Sequence, residues 1–274
     1  QPLAKARGEQ IAKECAEINC TGWYAPAMNI HRSAFGGRNF EYYSECGVLS
    51  GLTAAAEVSG ATENGLICYV KHFAFNDQDN YRQNNICTWL NEQSAREIYL
   101  KAFEQPIKAG GMGVMTSMNA VGPVWAGGCK ALLTNILRDE WGFNGAVITD
   151  YADHHSYMNG DQALRAGGSL WMAGFGSGEM AFETSSNSYM QALRRATKEA
   201  LYMYLHVRVT NRDYAESIGD TTAMRHAFTI SVFGWRHLVV LIDIVVIVLF
   251  VLAVRGVVID VKLRKAAKAA KENS

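Results

Sequence analysis

Gly145-Ala146-Val147-Ile148-Thr149-Asp150-Tyr151 is the stretch on which the fold turns. Asn144-Gly145 supplies a turn, three consecutive apolar residues follow, and the first charge is Asp150. Apolar residues on adjacent positions suit a strand buried on both faces, as in a parallel sheet or barrel. Asp150 then marks the strand's C-terminal end, the edge where barrel folds carry their chemistry. A carboxylate there, beside an aromatic, has the makings of a nucleophile toward a sugar's anomeric carbon. Capping of the next helix is the alternative use of such an Asp. This stretch alone does not separate the two.

The same pattern recurs on both sides. Residues 21–30, 66–70, 113–119 and 169–173 read as strands, the second ending on Lys71-His72 and the first carrying Pro26 near its end. Helical spacing covers residues 3–18, 48–64, 89–109, 130–141 and 161–166. Strand, polar loop and helix in repetition argue for an α/β fold with a parallel sheet. Polar residues gather at the strands' C-terminal ends and no GxGxxG loop is present, which favours a (β/α)8 TIM-type barrel over an open doubly wound sheet. Five strands are countable, so the barrel is expected to be incomplete, with its early strands missing. Gln1 is not a start residue, and the chain is expected to be a fragment that has lost its beginning.

Composition narrows the classes. Lys and Arg total 26 and Asp and Glu total 26, so no charge excess points to nucleic acid. The six cysteines (15, 20, 46, 68, 87 and 129) show neither CxxC pairs nor zinc-ligand spacing and are expected to be buried thiols. A helix over residues 185–204 is expected to expose Arg194, Arg195 and Lys198. Residues 208–223 turn polar and aperiodic, as a linker does.

Residues 238–254 are apolar except for Asp243. With Gly234-Trp235 before them they approach the roughly 20 residues that span a bilayer. Their Val and Ile content also admits a buried strand pair. Trp235 at an interface position, and Arg255, Lys262, Arg264, Lys265, Lys268 and Lys271 beyond, favour a membrane helix. The expected division is a partial barrel domain over 1–205, a linker over 206–234, a transmembrane helix over 235–254 and a basic cytoplasmic tail over 255–274. The barrel would then face outward from the cell membrane.

Several of these stretches together resemble glycoside hydrolase family 3, a family of retaining exo-glycosidases. Ala25-Pro26-Ala27-Met28-Asn29-Ile30-His31 with Gly37-Arg38-Asn39-Phe40-Glu41-Tyr42-Tyr43-Ser44-Glu45 is similar to its third-strand motif, and Lys71-His72-Phe73-Ala74-Phe75-Asn76, closing on Arg82, to its lysine-histidine motif. Met115-Thr116-Ser117-Met118-Asn119 and Ile148-Thr149-Asp150-Tyr151 are similar to its later strands. The resemblance covers roughly residues 1–205. Cys46-Gly47 stands where the family usually has Asp-Pro, Met118 where a Tyr is frequent, and Tyr151 where many members have Trp.

The resemblance implies that Asp150 is the catalytic nucleophile forming a glycosyl-enzyme, with Arg38, Lys71, His72, Met118 and Tyr151 binding substrate. Cationic donors fix neutral hydroxyls and are expected to hold Asp150 ionised by lowering its pKa. Arg82 is read as a scaffold residue of its loop. The loop Asn76-Asp77-Gln78-Asp79-Asn80-Tyr81-Arg82 lacks a histidine, which favours the β-glucosidase type, whose acid/base glutamate comes from an α/β sandwich domain expected upstream. Glu41, Asp79, Asp153 and Glu179 are acid/base candidates by residue type alone. No metal or cofactor is called for, and Asp153-His154-His155 reads as a polar helix start. The substrate would be an oligosaccharide or β-glycoside. The alternative function is an inactive, membrane-anchored sugar-binding surface protein.

One geometric expectation follows from Lys71-His72. Adjacent strand residues face opposite ways, so both reach one site only if the backbone over 71–73 is irregular.

Overall fold

The computed structural model describes residues 1–84, 86–152, 157–173, 182–206, 239–256 and 259. The chain divides into two compact units, Gln1–Gly219 and Asp220–Ser274.

In the first unit α1 (Pro2–Glu17) begins with Pro at its first turn, where the missing N–H costs nothing. It lies against α2 (Gly47–Glu63) with its axis unusually close. A Cβ on Gly8 would fall inside contact distance of the Glu57 carbonyl oxygen, and one on Gly60 would meet the Lys5 carbonyl oxygen. Both obstacles are backbone, so neither can swing aside. Gly60→Ala is therefore expected to destabilise the fold by about 2–3 kcal/mol despite alanine's better helix propensity. A urea midpoint unchanged from wild type would refute this reading of the crossing.

The main sheet is parallel throughout, in the order β1 (Gly22–Trp23), β2 (Ile67–Phe73), β4 (Gly113–Thr116), β7 (Ala146–Ile148). Its strands are buried on both faces, as their unbroken apolar runs require. Cys68, Val70, Val114 and Val147 face a large core shared with Val58 of α2, with Phe103 and Ile107 of α4 (Lys101–Lys108), and with Leu133 and Leu137. Ile67, Tyr69, Met115, Ala146 and Ile148 form the opposite cluster, with Met203 of a later helix. The chain is thus α/β with a parallel sheet.

Several elements differ from the sequence expectation, each for a local reason. The strand over 21–30 contracts to β1, because Pro26 has no N–H to donate. Pairing resumes as a bridge at Ala27, where Met28 N–H donates to the Lys71 carbonyl (2.9 Å). The long helix over 89–109 is broken into three. Asn91 caps a short α3 (Glu92–Ser94), accepting from Ser94 N–H at 2.8 Å, and a π-helical turn over Ala95–Tyr99 precedes α4. The strand over 169–173 shrinks to a parallel bridge between Ile148 and Leu170. There the Thr149 hydroxyl accepts the Met172 N–H (2.9 Å) in place of a ladder carbonyl.

A second sheet, β3 (Cys87–Thr88), β5 (Ala120–Val121) and β6 (Val124–Trp125), was not expected. Its β5–β6 hairpin turns at Gly122, whose φ of 56° suits glycine. A π-helical segment (Ala131–Glu140), α5 (Gly160–Ala166) and α6 (Asn187–Leu205) follow, and short 3-10 turns lie at Arg82–Asn84 and Ala126–Gly128. On α6, Arg194 and Lys198 are exposed as expected. Arg195 is not, since it turns inward to donate to the carbonyls of Leu164 and Gly168 and to pair with Glu199. The cysteine expectation also fails in part: Cys68 is buried, but Cys46 and Cys87 are exposed.

In the second unit the helix Val239–Gly256 has 18 residues and a mean hydropathy of 2.8, long and apolar enough to cross a membrane. Its apolar side chains are exposed, and Asp243 lies within it. The expected linker falls largely outside the described residues, as does nearly all of the expected basic tail.

Candidate active site

Four separate segments bring charge to the C-terminal end of the sheet. The loop between β1 and α2 carries Arg38 and Glu41; the end of β2 carries Lys71 and His72; the loop after β2 carries Asp79 and Arg82; Asp150 follows β7. Three cations and three carboxylates alternate in space. Arg38 binds Glu41 and lies 3.9 Å from Asp79. Arg82 Nε is 2.9 Å from Asp79, its Nη1 is 3.4 Å from Asp150 Oδ2, and Lys71 Nζ is 3.9 Å from Glu41.

The expected irregularity in β2 is present. Its register against β4 shifts between Val70 and Phe73, and the Lys71–His72 and Phe73–Ala74 peptides are cis. The His72 backbone is held from both ends by Asn29, which accepts from its N–H (2.8 Å) and donates to its carbonyl (3.0 Å). Its ring is buried, with Nε2 at 2.9 Å from Arg38 Nη1 and 3.7 Å from Asp150 Oδ2. A guanidinium can only donate, so Nε2 accepts and the ring proton rests on Nδ1. Burial and then Arg38, Lys71 and Arg82 push the His72 pKa well below its usual value. The ring is neutral, so it makes no ion pair with Asp150, toward which it turns the unprotonated Nε2.

Asp150 is 6% exposed. Its Oδ1 accepts the Tyr151 N–H at 2.7 Å, which leaves Oδ2 on the cationic side. Its pKa is not lowered as the flanking cations led us to expect. Burial raises it, outweighing the Tyr151 N–H and then Arg82, Arg38 and Lys71, all of which pull it down. Desolvating the carboxylate costs more here than charges at 3.4 Å or beyond return. Burial likewise lowers the Lys71 pKa.

The structure brings Arg38, Lys71, His72 and Asp150 together. Tyr151 is beside them and 45% exposed. Met118 is placed differently: it is 2% exposed, packed with Trp125, Ala152, Met158 and Ala163. Arg82 is the residue that sequence reasoning undervalued, for it is the cation nearest Asp150. The Asp79–Arg82 spacing of three was the available signal. Glu41 and Asp79 are ion-pair partners, whereas Asp153, Glu179 and the two histidines after Asp153 lie outside the described residues. Among the described residues no group of His, Cys, Asp and Glu is arranged to hold a metal.

Asp77 supports this arrangement from below. Its Oδ1 accepts the Ile30 N–H at 3.1 Å, next to Asn29, and burial pushes its pKa up from 3.8 to about 7. A folded-state value above the unfolded one means that the folded chain binds this proton more tightly. Stability from this group is full below about pH 4 and is lost as pH rises through about 7. Asp77→Asn, which still accepts from Ile30, is expected to flatten the stability–pH curve between those limits. An unchanged curve in thermal melts from pH 5 to 8 would count against it.

Residues 1–200 match the sequence profile of the glycosyl hydrolase family 3 N terminal domain. The chain belongs to glycosyl hydrolase family 3. Within the family it is 42% identical to Beta-glucosidase A of Butyrivibrio fibrisolvens over 164 residues, which are 58% of this chain and 19% of that protein. It is 40% identical over 149 residues to an exo-alpha-(1->6)-L-arabinopyranosidase of Bifidobacterium longum, covering 54% of this chain and 20% of that protein. Among solved structures, the β-glucosidase of Kluyveromyces marxianus in complex with glucose superposes with a TM-score of 0.71 at 29% identity, over 78% of this chain and 26% of that one. The family 3 chain therefore spans about a fifth of the length of these curated relatives.

Proposed function

We propose that the Gln1–Gly219 unit is the nucleophile-bearing part of a retaining, exo-acting β-glycosidase of β-glucosidase type. The observation that carries this reading is a buried carboxylate, Asp150, at a strand's C-terminal end, with His72 and Arg82 within 4 Å and Arg38 and Lys71 close behind. In the reaction Asp150 Oδ2 attacks the anomeric carbon and the bond to the leaving oxygen breaks, that oxygen taking a proton from a general acid. Water then attacks the same carbon, gives its proton back to that group, and releases the sugar with its anomeric configuration retained. Arg38, Lys71 and His72 hold the hydroxyls, and Tyr151 offers an aromatic face to the ring.

Glu41 and Asp79 do not suit the acid role, since each is held by a guanidinium. The acid/base group is assigned to a separate sandwich domain, with Asp153 and Glu179 outside the described residues, and further strands are assigned to completion of the barrel. The cluster of Ile67, Tyr69, Met115, Ala146 and Ile148 would then be the barrel's inner face. A general acid is typically worth about 10²–10⁴ in rate, so this chain alone would turn over unactivated glycosides very slowly.

A 2-fluoro aryl β-glucoside tests the assignment, because its leaving group needs little protonation. Mass spectrometry should find the glycosyl adduct on Asp150. Saturable sugar binding with no adduct would favour the second reading, an inactive sugar-binding surface protein. That reading draws on the ion-paired state of Glu41 and Asp79. An adduct on another residue would defeat the nucleophile assignment.

The proposal extends to location. A linker over 206–234 joins the catalytic unit to a transmembrane span over 235–254, with the basic residues after Val254 cytoplasmic and the catalytic unit outside. External protease on intact cells is expected to remove the catalytic unit and spare the tail. Digestion of the tail would reverse the orientation.

A further inference from the structure

The end of α1 carries a pair of groups that the catalytic reading does not use. Asn19 sits in the left-handed region with φ of 57°. The Cys20 N–H donates to the Cys15 carbonyl at 2.7 Å and the Asn19 N–H to the Ala16 carbonyl at 3.1 Å. These are the two hydrogen bonds of a Schellman motif, the outer one spanning from the third-last helical residue to the second residue beyond the cap. In that motif the side chains at the two ends of the outer bond pack on one another, and they are usually both apolar. Here both are cysteine.

The backbone that ends the helix therefore also sets two thiols side by side. The Cys15 and Cys20 side chains are close enough to act on one another electrostatically, and both are half-buried, next to the exposed run Glu17-Ile18-Asn19. The Cys20 thiol also lies 3.2 Å from the Gly22 carbonyl, at the start of β1. Cys68, the third thiol nearby, is fully buried on β2 and shut off from solvent reagents.

We propose that Cys15 and Cys20 are a reversible disulfide site, oxidised by low-molecular-weight disulfides such as oxidised glutathione. One thiolate attacks a sulfur of the small disulfide, forming a mixed disulfide and expelling one small thiol. The second cysteine, as thiolate, then attacks the protein sulfur of that mixed disulfide and releases the other small thiol. The pair has lost two protons and two electrons, and the small disulfide has become two thiols. The bridge spans the turn at Asn19 and fastens the end of α1 to the entry of the edge strand β1, where Trp23 packs against the large core. Oxidation should therefore stabilise the helix-to-sheet junction without touching the charged site.

Trypsin makes the test direct, since cleavage after Lys13 and Arg32 yields a peptide of residues 14–32 that holds Cys15 and Cys20 and no other cysteine. After incubation of the full chain in oxidised glutathione and quenching with N-ethylmaleimide, this peptide should be unlabelled and about 2 Da lighter than its reduced form. The melting temperature should rise by about 2–4 °C and fall back with dithiothreitol. In Cys20→Ser the same peptide should instead carry a glutathione adduct on Cys15, and the rise should vanish. The proposal is overturned if peptide 14–32 keeps two labelled thiols while the exposed Cys46 and Cys87 become glutathionylated. Linkage of Cys15 to Cys68 would overturn it equally.

Discussion

Asp150→Asn is expected to lower turnover of an activated aryl β-glucoside by on the order of 10⁴-fold, with little change in KM. The substitution preserves shape: the carboxamide oxygen can still accept the Tyr151 N–H that now holds Oδ1 at 2.7 Å. What it removes is the charge on the Arg82 side, and with it the proposed nucleophile. On the proposed reading, binding through Arg38, Lys71 and His72 stays in place, so the loss belongs to kcat. In Asp150→Gly, which does open space beside the anomeric carbon, added azide should restore part of the rate and deliver a glycosyl azide of inverted anomeric configuration, because the small anion attacks from the side that the carboxylate vacates. Near-wild-type turnover by D150N, or azide rescue with retained configuration, would place the nucleophile elsewhere.

Arg82→Ala should have the next largest effect, a fall of roughly 10²–10³ in kcat/KM. Arg82 serves two carboxylates at once, with Nε at 2.9 Å from Asp79 and Nη1 at 3.4 Å from Asp150. Its removal leaves both short of a counter-ion in a site where water is scarce. The sign of the accompanying pH effect follows from the charges. Burial already holds the Asp150 pKa above its usual value, and Arg82 is the nearest cation pulling it down. Without Arg82 the pKa climbs further, so the acidic limb of kcat/KM moves to higher pH. Arg82→Lys keeps a charge but not the fork that reaches both acids, so it should recover the pH limb more fully than the rate. An acidic limb that stays in place in R82A would show that Arg82 does not govern the ionisation of Asp150.

These two residues mark where reading the sequence succeeds and where it stops. Asp150 was legible because a buried parallel strand announces itself by an apolar run and ends at its first charge. The same logic located β2 and β4, since Val70 and Val114 lie in runs too apolar for a half-wet sheet. Arg82 was not legible as a neighbour of Asp150. It sits in an irregular loop, and no periodicity says that such a loop folds back over a strand 68 positions later. The pKa of Asp150 failed for a related reason. Flanking charges can be counted in a sequence, whereas desolvation depends on packing that only the fold supplies. Met118 shows the converse limit: a motif position carried it into the candidate site, and its apolar neighbours Trp125 and Met158 bury it. The small second sheet escaped notice because strands of two residues carry no period, although Val121-Gly122-Pro123-Val124 is a turn signal between apolar residues.

The charged site draws on four segments whose strands pair only across long crossovers, β2 with β4 and β4 with β7. Pairings so distant along the chain form late, because each closes a large loop before any contact repays it. No subset of the chain therefore holds Arg38, His72, Arg82 and Asp150 in register ahead of the whole sheet. In refolding from denaturant, the capacity to label Asp150 should appear in step with the last burial of the core tryptophan Trp125, and never before it. The site is in this sense a clock for the completion of folding.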